Sequence, residues 1–214
     1  MANYHPNNEL LMSFAAGQLP NSLGIMVACH LEQCHSCRQQ THLYEQLGGE
    51  LLGDLPEETV GTNVLSRILD RIDEPVSAPS LATLNQGDLA IPRPLRRFIP
   101  GSLDTLEWSG MTKSIREFDI EIEDPQFKAK LYKIGAGKEL PEHTHEGNEF
   151  TYVIDGSFAD KTCQYHEGDF ILADTQTIHQ PRATMDKDCI CFAVMDAPLK
   201  MTGIFGRMLN PFMR

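Results

Sequence analysis

The chain has no apolar run approaching the roughly 18–20 residues that a membrane span needs. Its opening, MANYHPNNELLMSF, lacks a basic region followed by an apolar stretch, so no signal peptide is read there. Six cysteines in 214 residues are too few for a disulfide framework. Three of them, Cys29, Cys34 and Cys37, crowd around His30. The expectation is a reduced, cytoplasmic protein that does not enter membranes. Clustered basic side chains are missing from the first part as well. Residues 1–90 hold 11 acidic and 3 basic side chains, a balance of -8, and residues 91–214 hold 19 and 15, a balance of -4, which together give the formal charge of -12. Phosphate contacts need clustered Lys and Arg, so direct nucleic-acid binding is not expected. An acidic helical module suits a basic protein partner better. There is no internal repeat.

What is present divides into two patterns. The first 72 residues read as helical. Asn8 can cap a segment with Leu10, Leu11, Phe14 and Ala15 on one face and Gly17 as its stop. Pro20 and Asn21 open a second segment, with Leu23, Met26, Val27 and His30 at helical spacing. A third runs from about His35 to Leu52. A fourth, about Glu57 to Ile72, has Val60, Val64, Ile68 and Ile72 at four-residue steps beside Leu65 and Leu69. Residues 73–94 contain four prolines and no sustained periodicity, the composition of a linker. Beyond them come short alternating runs, Lys113–Ile122, Ala129–Ile134, Phe150–Ile154, Asp169–Ala173 and Cys189–Val194, separated by Gly, Pro and Asp turns, as in a β-sandwich or barrel. The boundaries expected are residues 1–75 for an all-α module, 76–94 for a linker, 95–200 for an all-β barrel and 201–214 for a tail packed on the barrel or on the other domain.

Two sets of metal-ligand residues sit in these two parts. In His30-x3-Cys34-x2-Cys37 two thiolates can clamp one ion, and on a helix the imidazole four residues earlier projects from the same face. A closed tetrahedral site needs a fourth ligand. His5 is the best local candidate, with Cys29 and His35 behind it. Two thiolates and two neutral imidazoles would leave Zn²⁺ formally neutral, as suits a buried structural site. No βαβ pattern surrounds the C-x-x-C, which argues against a thioredoxin-like redox role. The second set is Gly137-x5-His143-x-His145-x3-Glu149-x6-Gly156, followed by His179. His143 and His145 alternate on a strand and so share a face, and Glu149 lies far enough on for the chain to turn back. Imidazole and carboxylate suit zinc, iron, manganese or nickel with room for an exogenous ligand. Cys189 and Cys191 face one side of a strand and read as small core residues. Cys163 and His166 flank a turn, and His42 faces solvent.

The first set, within a short acidic helical module, resembles the zinc-binding anti-sigma domain over about residues 1–75. In that family an upstream histidine completes the site, and His5 stands in the matching place. The resemblance also implies that the fourth helix docks on an extracytoplasmic-function sigma factor. The second set matches the first cupin motif at every fixed position, over about residues 95–197, although Asp174-Thr175-Gln176 replaces the usual Pro-x-Gly turn and no Asn follows His179 at the customary spacing. The resemblance gives the cupin metal as His143, His145, Glu149 and His179, with Zn²⁺ first and Fe²⁺, Mn²⁺ or Ni²⁺ as alternatives. A dimer through the cupin is a further expectation.

The order of the two domains resembles ChrR-type anti-sigma factors over nearly the whole chain. That implies a non-enzymatic, negative regulator of transcription that sequesters a sigma factor and releases it on an oxidant signal of the singlet oxygen or organic peroxide type. The alternative is a metal-dependent cupin dioxygenase of a small organic substrate.

Overall fold

The computed structural model describes residues 2–74 and 90–201. The expected linker residues 75–89 and tail residues 202–214 lie outside the described residues. Helix α1 (Asn8–Ala15) is capped by Asn7 rather than Asn8: its side chain accepts from the Leu10 N–H at 2.9 Å. Helices α2 (Asn21–Gln33) and α3 (His35–Gly53) follow, and they meet at a sharp corner on Cys34, whose extended backbone ends one helix and begins the next. The guanidinium of Arg38 closes that corner by donating to the carbonyls of Leu31 and Glu32 at 2.6 and 2.9 Å, two acceptors that the end of α2 would otherwise leave free.

The fourth helix is shorter than its periodicity implies. Helix α4 spans Val64–Leu69, and no residue of it is buried. Leu65, Ile68 and Leu69 of its apolar stripe stay exposed, and tertiary burial is what normally stabilises such a helix.

Strands β1 (Ser109–Thr112), β2 (Ile115–Ile120), β3 (Lys128–Ile134), β4 (His143–His145), β5 (Glu149–Asp155), β6 (Ser157–Ala159), β7 (Gln164–His166), β8 (Phe170–Ala173), β9 (Arg182–Ala183), β10 (Cys189–Met195) and β11 (Leu199–Met201) are all antiparallel to their neighbours. They form a six-stranded sheet ordered β1-β2-β3-β10-β5-β8, a three-stranded sheet β7-β6-β9 and a pair β11-β4. Gly156, between β5 and β6, has φ 77°, and a Cβ there would lie 2.3 Å from the Asp188 carbonyl oxygen, so the turn admits only glycine.

The two halves of the chain share one hydrophobic core. Residues 90–94, read from composition as the end of a linker, join it through Ile91, which is buried. Short helix α5 (Arg93–Arg96) lies against α2. Leu23, Met26 and Val27 of α2 pack in one cluster with Leu131, Tyr152, Phe170, Phe192 and Val194 from the outer face of the large sheet. The opposite face of the same strands contributes Ile134, Val153, Cys189 and Cys191 to a second cluster inside the barrel. Strand β10 is therefore buried at all seven positions, which explains its unbroken apolar sequence CICFAVM.

Candidate metal centres

The α2–α3 corner gathers the first ligand set. His30 is on the last turn of α2, Cys34 at the corner and Cys37 on the first turn of α3, while His5 arrives on the extended segment before α1. His5 Nδ1 lies 3.3 Å from His30 Nε2, 3.4 Å from Cys34 Sγ and 3.5 Å from Cys37 Sγ, and His30 Nε2 lies 3.3 Å from Cys37 Sγ. Zn–N and Zn–S bonds of about 2.0 and 2.3 Å in a tetrahedron put such ligand atoms roughly 3.3–3.8 Å apart. The two cysteines, His30 and His5 thus fit a single tetrahedral ion. The alternatives for the fourth position do not: Cys29 is buried elsewhere in the shared core and His35 is exposed.

Electrostatics points the same way. Burial pushes the His30 imidazole down to about 4, so the ring is neutral and free to ligate. Burial and the neighbouring Cys34 sulfur push the Cys37 thiol up to about 12. Burial also opposes ionisation of Cys34, but hydrogen bonds from Ser36 and Cys37 outweigh it and hold that thiol below its ordinary value. Without a cation, one sulfur ionises only at the expense of the other.

The second set gathers at the barrel mouth. His143 and His145 sit at the two ends of β4, and His179 reaches them across a bridge in which His143 and His179 exchange both backbone hydrogen bonds at 3.1 Å. His143 Nδ1 donates to the Pro141 carbonyl at 2.8 Å, leaving Nε2 as the ligating atom. The Nε2 atoms of His143 and His179 lie 2.9 Å apart, and those of His145 and His179 3.2 Å. Burial lowers the pKa of all three rings, His145 and His179 to about 4, so each is neutral with one nitrogen lone pair to offer, and the convergent trio is suited to a cation. Asp174-Thr175-Gln176 forms a turn closed by Asp174 and Thr177, so the missing Pro-x-Gly does not displace His179.

Glu149 is adjacent to this trio rather than within it. Its Oε2 lies 3.5 Å from Nδ1 of His145, and both atoms are buried without a hydrogen-bond partner among the described residues. Burial pushes the carboxyl up to about 7, against one hydrogen bond from Thr151. An orphaned carboxylate oxygen beside His145 suits a further ligand to an ion held by the trio.

Cys189 and Cys191 share a side of β10 inside the barrel, with sulfurs 3.6 Å apart. His42 is exposed beside Glu45, as its position implied. Cys163 approaches Tyr4 and Tyr165 instead of the cupin histidines, and His166 is exposed.

Comparison with known proteins places these sites in context. Residues 104–197 match the ChrR cupin-like domain. The chain is 29% identical over 211 residues to the anti-sigma-E factor ChrR of Cereibacter sphaeroides, covering 99% of this chain and 98% of that one. Its structure aligns with ChrR in the crystal structure of the Rhodobacter sphaeroides SigE complex with a TM-score of 0.81 at 28% identity, over 92% of this chain and all of that one. Among the described residues, no helix is long and apolar enough to cross a membrane.

Proposed function

We propose, from the homology of this chain to the ChrR-type anti-sigma factors, that it is a regulator that binds an extracytoplasmic-function sigma factor through its helical layer and holds it inactive. The observation that carries this reading is the apolar surface left open on the last turns of α3 and on α4. Leu47, Leu51 and Leu52 are 56–69% exposed, and Leu65, Ile68 and Leu69 are 55–67% exposed. Exposed apolar side chains at helical spacing on a small acidic module support a protein-binding role for it. ChrR is a protein that complexes a sigma factor, SigE.

His5, His30, Cys34 and Cys37 would hold Zn²⁺ as a structural ion, fixing the corner from which α3 projects. His143, His145 and His179, with Glu149, would hold a divalent ion in the cupin, with positions left for a small exogenous ligand. Release of the sigma factor follows an oxidant signal received in the cupin, a reading supported by the open character of that ligand set. No step of substrate turnover is required of it.

The test is to co-produce the full chain with the extracytoplasmic-function sigma factors of its own genome. A stable one-to-one complex that blocks transcription from the cognate promoter, and dissociates on exposure to singlet oxygen or an organic peroxide, is the expected outcome. Failure to capture any of these sigma factors would refute the reading. A complex that survives the oxidants would remove only the signal.

A further inference from the structure

The thiolate site is built from both halves of the chain. His30 Nδ1 donates to the carbonyl of Gly168, in the turn between β7 and β8, at 2.8 Å. Its ring stands edge-on to Phe170 and Tyr152, with centroids 6.2 and 6.5 Å away. His5 is held less directly, through the two residues before it. The carboxylate of Asp169, fully buried, accepts the N–H groups of Asn3 and Tyr4 on one oxygen, at 2.5 and 3.1 Å, and that of His166 on the other at 2.8 Å. The Phe170 N–H then donates to the Tyr4 carbonyl at 3.0 Å, so a backbone bond ties the arm to the start of β8. The Tyr4 ring packs against that of Tyr165 of β7 at a tilt of 56°, with centroids 4.8 Å apart.

Two of the four ligands therefore take their positions from three consecutive barrel residues. A ligating histidine is oriented by the partner of its second nitrogen, and losing such a partner costs roughly 10- to 100-fold in metal affinity. An N-terminal arm without tertiary bonds would carry His5 as a tethered rather than a placed ligand, and ordering it would have to be met from the metal-binding energy.

We propose that the cupin turn Gly168–Asp169–Phe170 is a working part of the N-terminal metal centre, with Asp169 the positioning residue that sets His5 in place. The barrel thus governs how tightly the helical layer holds its ion, and any distortion of β8 reaches the thiolate site through this turn without passing through the partner surface. The inference rests on the metal reading of the thiolate set and is independent of which protein the helices bind.

Cobalt separates the two centres, because only the thiolate site gives sulfur-to-metal charge transfer. The full-length protein, Asp169→Ala and a chain in which Met1 is joined directly to His5 would each be loaded with Co²⁺ and titrated with a competing chelator. The shortened chain keeps all four ligands and the entire barrel, so it decides the matter if Asp169→Ala fails to fold. The expected result is a dissociation constant raised at least 10-fold at the thiolate site in both variants, with d–d bands shifted by loss of one imidazole and an unchanged metal content in the cupin. Wild-type affinity and spectrum in the shortened chain would overturn the proposal while leaving the metal site standing. Loss of metal from both centres together would overturn it too, since that is general unfolding. Absence of charge transfer in the unaltered protein would remove the metal reading itself.

Discussion

Asp124, on the loop before β3, receives the backbone N–H of Ser22 at 3.0 Å, so a barrel residue caps the helix that carries His30. The same oxygen accepts the Ser22 hydroxyl, and the other accepts the amides of Gln126 and Phe127. Residue Pro20, at the cap position itself, supplies no such bond. Asp124→Ala should therefore destabilise the protein by about 1 kcal/mol, within the usual range for a lost cap. In urea this reads as a lower midpoint at constant slope. Burial alone would raise this carboxyl, but the bonds from Ser22, Gln126 and Phe127 outweigh it and hold it below the usual 3.8. The contribution is thus complete above that pH and disappears as the pH falls through the lowered native value, where the variant and the parent should converge.

The open helical surface separates binding from stability. Leu65→Asp and Ile68→Asp replace exposed side chains, so each should leave the thermal midpoint almost unmoved, within about 0.5 kcal/mol. Each should weaken partner binding by roughly 30-fold or more if it falls at the centre of the interface. Calorimetric titration against the purified sigma factor measures the second effect and scanning calorimetry the first.

Glu149→Gln should act in opposite directions with and without metal. In the metal-free protein the carboxyl, raised to about 7, is neutral at low pH and becomes a buried unpaired charge above it. Stability from the raised pKa is fully present below about 4.5 and lost as pH rises through 7. The metal-free variant should match its parent near pH 4.5 and exceed it above pH 7, by up to about 3 kcal/mol. The metal-loaded variant should instead bind its cupin ion more weakly. Denaturation at several pH values, before and after chelation, distinguishes the two.

Two ions per chain are expected from elemental analysis, falling to one in the double variant Cys34→Ala, Cys37→Ala. Chelation of the unaltered protein should reduce its helical circular dichroism while sparing the strand signal. Collapse of the helices to a fully unfolded arm is not expected, because α2 is buried against the barrel.

Much of this was legible in the sequence where chemistry depends on spacing. The C-x-x-C with its preceding histidine, and His143-x-His145, need only one turn of helix or one strand to converge, and they do. The long-range parts were not legible. Composition marked residues 90–94 as linker because the prolines beside it hide the buried Ile91. Periodicity gave α4 more than twice its observed length, since a four-residue repeat records the face a partner will cover as readily as one the chain buries itself. Nothing local announced that Asp169 would hold the arm of His5, 164 positions earlier, because a buried acceptor of backbone amides leaves no pattern. Asp169 read only as the first residue of an alternating run.

The leucines left uncovered on α3 also set a rule of supply. A chain made in excess of its partner presents those side chains to other copies of itself, and such surfaces drive association when unclaimed. Surplus protein would be cleared or clumped instead of waiting in reserve. Production of this chain and its partner in near-equal numbers, as from a shared transcript, would avoid that loss.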